Sequence, residues 1–131
     1  MSTFPPITHV ALTVADLTVS VPWYEQLLGS TAVLDENTGP FHHTVFAIGG
    51  TLLGLHAFPD GRVDIQFDER RIGLDHVAFG CADRAELEKW AARLDELGIE
   101  RGRIKDAPYG SGVSFRDPDG IALEFFAPPS A

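Results

Sequence analysis

The sequence is poor in cysteine and in positive charge, and it lacks any long apolar run. One cysteine, Cys81, occurs in 131 residues. No disulfide can therefore form within the chain, and such sparing use of cysteine suits a reducing, cytoplasmic setting. No uninterrupted apolar stretch approaches the ~20 residues that a membrane-spanning helix needs. The opening MSTFPPITHV has no basic flank followed by an apolar segment, so no secretory signal is expected. Lysine and arginine together number ten against nineteen Asp and Glu, for a formal net charge of −9. The cations form no block beyond Arg70–Arg71. A field of that sign repels phosphate backbones, which argues against a nucleic-acid partner.

What is present is ordinary for a globular chain: 44% hydrophobic and 22% charged residues, enough for one compact domain with a real core. ITHVALTV (7–14) alternates apolar and polar residues and reads as a strand. A helix is expected over VPWYEQLLG, with Ser20 as its N-cap, Pro22 in its first turn and Gly29 as its stop. Strands are expected near 30–36, 43–48 and 51–58, the last two joined at Gly49-Gly50. Residues 59–71 are polar and read as a linker. A strand at 72–80, a helix near 83–97 and strands near 99–105, 111–116 and 121–126 complete the chain, with Asp117-Pro118-Asp119-Gly120 as the final turn.

The order βαβββ, linker, βαβββ is a repeat, and the residues carry it. A shift of 67 positions matches His9 with His76, Val10 with Val77 and Ala11 with Ala78. It also matches Ala15 with Ala82, Asp16 with Asp83 and Trp23 with Trp90. One register held across a strand and a helix points to internal duplication. The expected class is α+β: module one over 5–58, linker 59–71, module two over 72–127, forming one domain. Trp23 and Trp90 are expected to pack each helix onto its sheet.

Four residues stand out as candidate metal ligands. A lone strand histidine is ordinarily a hydrogen-bonded core or surface residue, but His9 and His76 occupy each module's first strand, and His56 and Glu124 each module's last. The spacings are similar, 47 residues from 9 to 56 and 48 from 76 to 124. Strand alternation puts His9 on a face with Ala11 and Thr13, and His76 with Ala78 and Gly80, opposite the large apolar residues. Gly54 and Ala122 stand two residues before His56 and Glu124. Small neighbours leave room for a cavity where a packed core would place Leu, Ile or Phe. Glu124 interrupts the apolar run IALEFF, which is costly for a carboxylate unless it is paired or metal-bound; an ion pair with an arginine is the plain alternative.

Three imidazoles and a carboxylate suit one divalent ion of Fe, Zn, Ni, Mn or Co and disfavour Ca²⁺ and Mg²⁺. The absence of thiolate ligands argues against a closed structural zinc site. If His56 stands off, His9, His76 and Glu124 form a two-histidine, one-carboxylate set with more open positions. His42 and His43 fall on opposite faces of one strand, so at most one of them points inward. His43 is the candidate acid–base group, with a surface role as its alternative. Tyr109, in the loop Pro108-Tyr109-Gly110, is a candidate to close over a substrate, with loop packing as the alternative. Arg116 reads as structural, and Cys81 as a small buried hydrophobe.

These residues resemble a known family, the vicinal oxygen chelate superfamily, which includes glyoxalase I, fosfomycin-resistance thiol transferases, extradiol dioxygenases and bleomycin resistance proteins. The resemblance runs along essentially the whole chain and is carried by ITHVALTVADL, WYEQLLG, GLDHVAF and FRDPDGIALEF. It implies a curved mixed sheet around a metal-binding cavity. It also implies His9, His76 and Glu124 as the shared ligands and His56 as a fourth, where Glu or Gln is commoner. The chemistry implied is a metal acting as Lewis acid on vicinal oxygens of a small substrate, in lyase, isomerase or dioxygenase reactions. A homodimer is implied as well. Two departures are visible: Thr13 occupies the place of a glutathione-binding arginine in glyoxalase I, and the last strand runs out as FFAPPSA in place of an arginine-bearing tail. The alternative is a small-molecule binding or resistance protein without turnover.

Overall fold

The computed structural model of the chain describes residues 3–130. Ten elements follow the order read from the sequence. Module one contains β1 (His9–Thr13), α1 (Leu17–Leu28), β2 (Leu34–Asn37), β3 (His42–Ile48) and β4 (Thr51–Ala57). Module two contains β5 (Val77–Gly80), α2 (Arg84–Glu96), β6 (Lys105–Ala107), β7 (Gly110–Arg116) and β8 (Ala122–Ala127). The α+β class and the duplicated βαβββ unit are therefore what the chain forms. Hydrogen bonding divides the strands into two four-stranded mixed sheets, ordered β1-β4-β3-β2 and β5-β8-β7-β6. The chain divides into two compact units at residues 65 and 66, inside the 59–71 segment, which holds only turns and bends.

In module one, β1 runs parallel to β4 with Ala11 opposite Gly54 and Thr13 opposite His56. Pleating sends Leu12, Leu53, Leu55 and Phe46 to one face, where all are buried. Helix α1 covers that face through Tyr24 and Leu27, three residues apart on one stripe. Tyr24 is wholly buried while Trp23 is only partly so; Tyr24 takes the deep packing position expected of Trp23, and the two rings meet edge to face. The opposite face, carrying His9, Ala11 and Thr13, is open.

The start of α1 differs from expectation. Asp16 is the N-cap, its carboxylate accepting from the Thr18 amide at 2.9 Å and from the Thr18 hydroxyl at 2.7 Å. Ser20 lies inside the helix and is buried. Asp outcompetes Ser here because it binds the orphan amide of the first turn with a charge-assisted bond. Pro22 consequently sits within the helix, where it cannot donate to the Thr18 carbonyl. Gly29 closes α1 at φ 68°, in the left-handed region.

Module two repeats the scheme. β5 runs parallel to β8 with Ala78 opposite Glu124, and Leu123, Phe125, Val113 and Phe115 are buried beneath α2. Trp90 stacks on Phe125 with centroids 4.9 Å apart, as expected of it. Asp83 caps α2 by accepting from the Glu86 amide, while Glu86 accepts from the Ala82 amide, a reciprocal arrangement that satisfies two orphan donors. Two strands are shorter or later than expected. β5 begins only at Val77, where β8 supplies a partner, so His76 immediately precedes it. β6 forms at 105–107, where β7 is in register; Arg101 upstream makes an isolated bridge to Phe115. Among the described residues, no helix is long and apolar enough to cross a membrane.

Candidate metal centre

The open face of module two carries the clearest site. Alternation along β8 buries Leu123 and Phe125 under the helix and turns Glu124 and Phe126 to the other side. Ser114, directly opposite Glu124 on β7, and Gly112, two pairs further on, share that side. The Glu124 carboxylate lies over Gly112: a β-carbon there would meet Oε2 at 3.1 Å. His76 brings its Nε2 to 3.8 Å from Glu124 Oε1. That is too far for a hydrogen bond. It fits two donors to one ion, since two bonds of ~2.1 Å span at most ~4.2 Å. The other ring nitrogen of His76, Nδ1, lies 2.7 Å from Asp75 Oδ1.

His76 and Glu124 border a cavity of about 470 Å³ formed by module two, whose other walls include Ala78, Arg103, Lys105 and Tyr109. Tyr109 is 74% exposed and lies nearly parallel to Phe126, with an interplanar angle of 13° and centroids 6.3 Å apart, so it stands at the rim of the cavity. Sequence reasoning missed Arg103 and Lys105. They alternate along the approach to β6, and the strand expected at 99–105 already put them on one face; the sequence does not mark that face as lining a cavity. Arg84, Arg101 and Arg116 in this module are tied to Asp106, Asp95 and Glu69. Arg103 and Lys105 have no ionic partner among the described residues. Two unpaired cations in a cavity of a chain with net charge −9 favour an anionic occupant.

On module one's open face, the ring of His9 has its Nδ1 3.0 Å from the Thr8 hydroxyl. His56 and His43 face each other across β4 and β3, their centroids 5.2 Å apart, and Phe41 stacks on His56 at 4.8 Å. His43 Nε2 lies 3.2 Å from Glu36 Oε1. His42 turns to the other face and meets Asp35. Burial first, then repulsion from His43, holds the His56 imidazole toward its neutral form. The strand registers match Glu124 with Gly54, because each stands opposite the equivalent alanine, Ala78 or Ala11. The 47- and 48-residue spacings are thus not register equivalents. The His56 ring nevertheless leans back over Gly54, where a β-carbon would lie 3.6 Å from its Nε2.

Among the described residues, no group of three or more His, Cys, Asp or Glu side chains is gathered closely enough to hold a metal; the pair His76 and Glu124 is what module two assembles. Cys81 is buried, and its thiol is pushed up to about 11 by that burial and by Glu86 and Asp83. It stays protonated near neutrality and is no ligand. Arg116 binds Glu69 at 2.7 Å and the Gly120 carbonyl at 2.9 Å, the structural role expected of it.

Residues 6–125 match the Glyoxalase/Bleomycin resistance protein/Dioxygenase superfamily. The chain belongs to this superfamily. The match takes in all four candidate ligands. Among curated members, a metallothiol transferase FosB of Shouchella clausii is 33% identical over 122 residues, which cover 90% of this chain and 77% of the relative. A glutathione transferase FosA of Serratia marcescens is 29% identical over 118 residues, covering 90% and 77%. Among solved structures, a glyoxylase/bleomycin resistance protein/dioxygenase domain from Frankia sp. EAN1pec superposes with a TM-score of 0.87 at 29% identity, covering 98% of this chain and 96% of that one. A lactoylglutathione lyase from Agrobacterium tumefaciens gives 0.72 at 27% identity, covering 95% and 96%. Superfamily members thus span transferases and lyases, and the two curated relatives are transferases by name.

Proposed function

We propose that the chain is a metal-dependent enzyme acting on a small, oxygen-bearing anion. The observation that carries the reading is the convergence of His76 Nε2 and Glu124 Oε1 at 3.8 Å on a cavity that also holds the unpaired Arg103 and Lys105. His76 and Glu124 are the proposed ligands from module two. His9 is the proposed third, and His56, whose ring covers Gly54, the fourth. This donor set accepts Mn²⁺, Fe²⁺, Zn²⁺, Ni²⁺ or Co²⁺. When bound, such an ion supplies Lewis-acid stabilisation of charge developing on a substrate oxygen. Arg103 and Lys105 would bind and orient the anion. Tyr109 at the rim would close over it and exclude water, and His43 is the proposed proton-transfer group.

The names of the curated relatives make transfer of a thiol the first reaction to assay; lyase, isomerase and dioxygenase chemistry follow. Protein with and without Mn²⁺ would be incubated with glutathione and small anionic electrophiles, and loss of free thiol followed. The reading expects metal-dependent consumption that Glu124→Gln abolishes. The second reading is a small-molecule binding or resistance protein without turnover, favoured by the exposure of Tyr109 at the rim. Saturable anion binding without product in any of the four reaction classes would establish it in place of the enzyme. A homodimer in the cytoplasm completes the proposal, testable by sedimentation.

A further inference from the structure

We infer that Asp75 and Thr8 are positioning residues for His76 and His9, each holding the Nδ1 of the histidine that follows it so that Nε2 is the nitrogen offered to a metal ion; the inference rests on the ligand set proposed above. Asp75 Oδ1 lies 2.7 Å from His76 Nδ1, and Thr8 Oγ1 lies 3.0 Å from His9 Nδ1. Successive side chains on a regular strand project to opposite faces, so contact between neighbours is not what strand geometry supplies. Both contacts occur where the strand begins: His9 is the first residue of β1, and His76 precedes β5. Thr8 and Asp75 are related by the same shift of 67 as the histidines. The arrangement therefore occurs twice, once in each compact unit.

The chemistry of the two partners fixes what each contact does. An ionised carboxylate can only accept, so Asp75 requires the proton on Nδ1 of neutral His76. The lone pair is left on Nε2, the nitrogen that faces Glu124. A hydroxyl either donates or accepts; with Nε2 of His9 engaged, Nδ1 carries the proton and Thr8 accepts. Asp75 adds a negative charge beside its histidine that Thr8 does not. Partners of this kind orient a ligand and fix its tautomer. The plain alternative is an incidental surface pair. Asp75 and His76 are 73% and 45% exposed, and a pair that open to water contributes little to stability. Replacing Asp75 should therefore leave the fold intact.

The test uses the full chain in two measurements. In metal-free protein at about pH 8, where imidazoles are neutral, ¹⁵N shifts of the His76 ring report which nitrogen carries the proton. Free Mn²⁺ counted by electron paramagnetic resonance gives the dissociation constant. Wild type should show His76 with its proton on Nδ1, and Asp75→Ala should move the proton toward Nε2 and weaken Mn²⁺ binding about 10–100-fold. Asp75→Asn should weaken it less, because the amide oxygen still accepts, and Thr8→Val should weaken it by about 10-fold or less. Glu100→Gln, which removes one negative charge from the same module, should change affinity by no more than about twofold, and melting temperatures should agree across the set. An unchanged His76 tautomer in Asp75→Ala, or a loss of affinity no greater than in Glu100→Gln, overturns the inference. Failure of the ligand set itself reads differently: wild type and Glu124→Gln then bind Mn²⁺ equally weakly, whatever the tautomer shows.

Discussion

Gly112 lies directly beneath Glu124, so that a β-carbon at 112 would stand 3.1 Å from the carboxylate Oε2 and 3.2 Å from its carbon. The backbone at 112 is ordinary strand, with no positive φ, so alanine meets no conformational penalty there. Gly112→Ala should thus leave the fold intact and push the carboxylate aside. The expected result is a melting temperature within a few degrees of wild type and Mn²⁺ affinity lowered about 10-fold, the scale of a disturbed ligand shell. Equal affinity would mean that Glu124 has no fixed post to lose.

Gly110 and Gly54 make an opposed pair. A β-carbon at Gly110 would come within 2.4 Å of the Ala127 carbonyl and of the Phe126 ring, and φ there is 143°. Gly110→Ala should destabilise by about 2–4 kcal/mol, as expected where overpacking adds to a strained backbone. At Gly54 the nearest atoms, in Ala11 and His56, lie at 3.6 Å, an ordinary contact. Gly54→Ala should fold as well as wild type or better, by about 0.5–1 kcal/mol. Urea midpoints on both variants check the contrast.

Much of this arrangement was legible in the sequence. The 67-residue shift found the duplication because it rests on identities such as Ala11 with Ala78 and Asp16 with Asp83. Parity along IALEFF put Glu124 opposite the core for the same reason that Leu123 and Phe125 lie in it. What eluded sequence reasoning depends on hydrogen-bond register. The match of Glu124 with Gly54 emerges only from the two parallel ladders. Arg103 and Lys105 line the cavity through the pairing of β6 with β7, which no local pattern in the sequence shows. Ser20 reads as a cap because it stands just ahead of Pro22, which favours a first turn, whereas the helix begins four residues earlier at Asp16.

Arg103 and Lys105 should matter to anion binding and little to folding, having no ionic partner among the described residues. Arg103→Gln and Lys105→Gln are each expected to raise the dissociation constant for inorganic phosphate by about 3–10-fold, in the range of a lost charge-assisted contact. The double variant should also show a weaker dependence on salt. Titration calorimetry at two ionic strengths measures both. Unaltered binding in the double variant would place the anion elsewhere.

Stability should fall in acid through ion pairs that only the fold can make. The Arg116 guanidinium holds Glu69 below the usual carboxylate range from 47 residues away, and Arg84, then Ser111, does the same for Asp106. Both carboxyls have native pKa values lowered below those of the unfolded chain. Between the two values the unfolded chain binds more protons, so stability rises with pH there. The contribution is present above about pH 4.5, where unfolded carboxyls are ionised, and is lost as pH falls further. Urea midpoints measured from pH 6 downward should decline below about 4.5, and Arg116→Gln should flatten part of that decline. A slope unchanged in Arg116→Gln would remove the Glu69 pair from the account.

The central claim, a metal ion held by His76 and Glu124, is tested most directly by anomalous scattering from crystals grown with Mn²⁺. One strong peak per chain within about 2.3 Å of His76 Nε2 and a Glu124 carboxylate oxygen, absent from Glu124→Gln crystals, is the expected result. No peak at that pair, or one that survives Glu124→Gln unchanged, would contradict it.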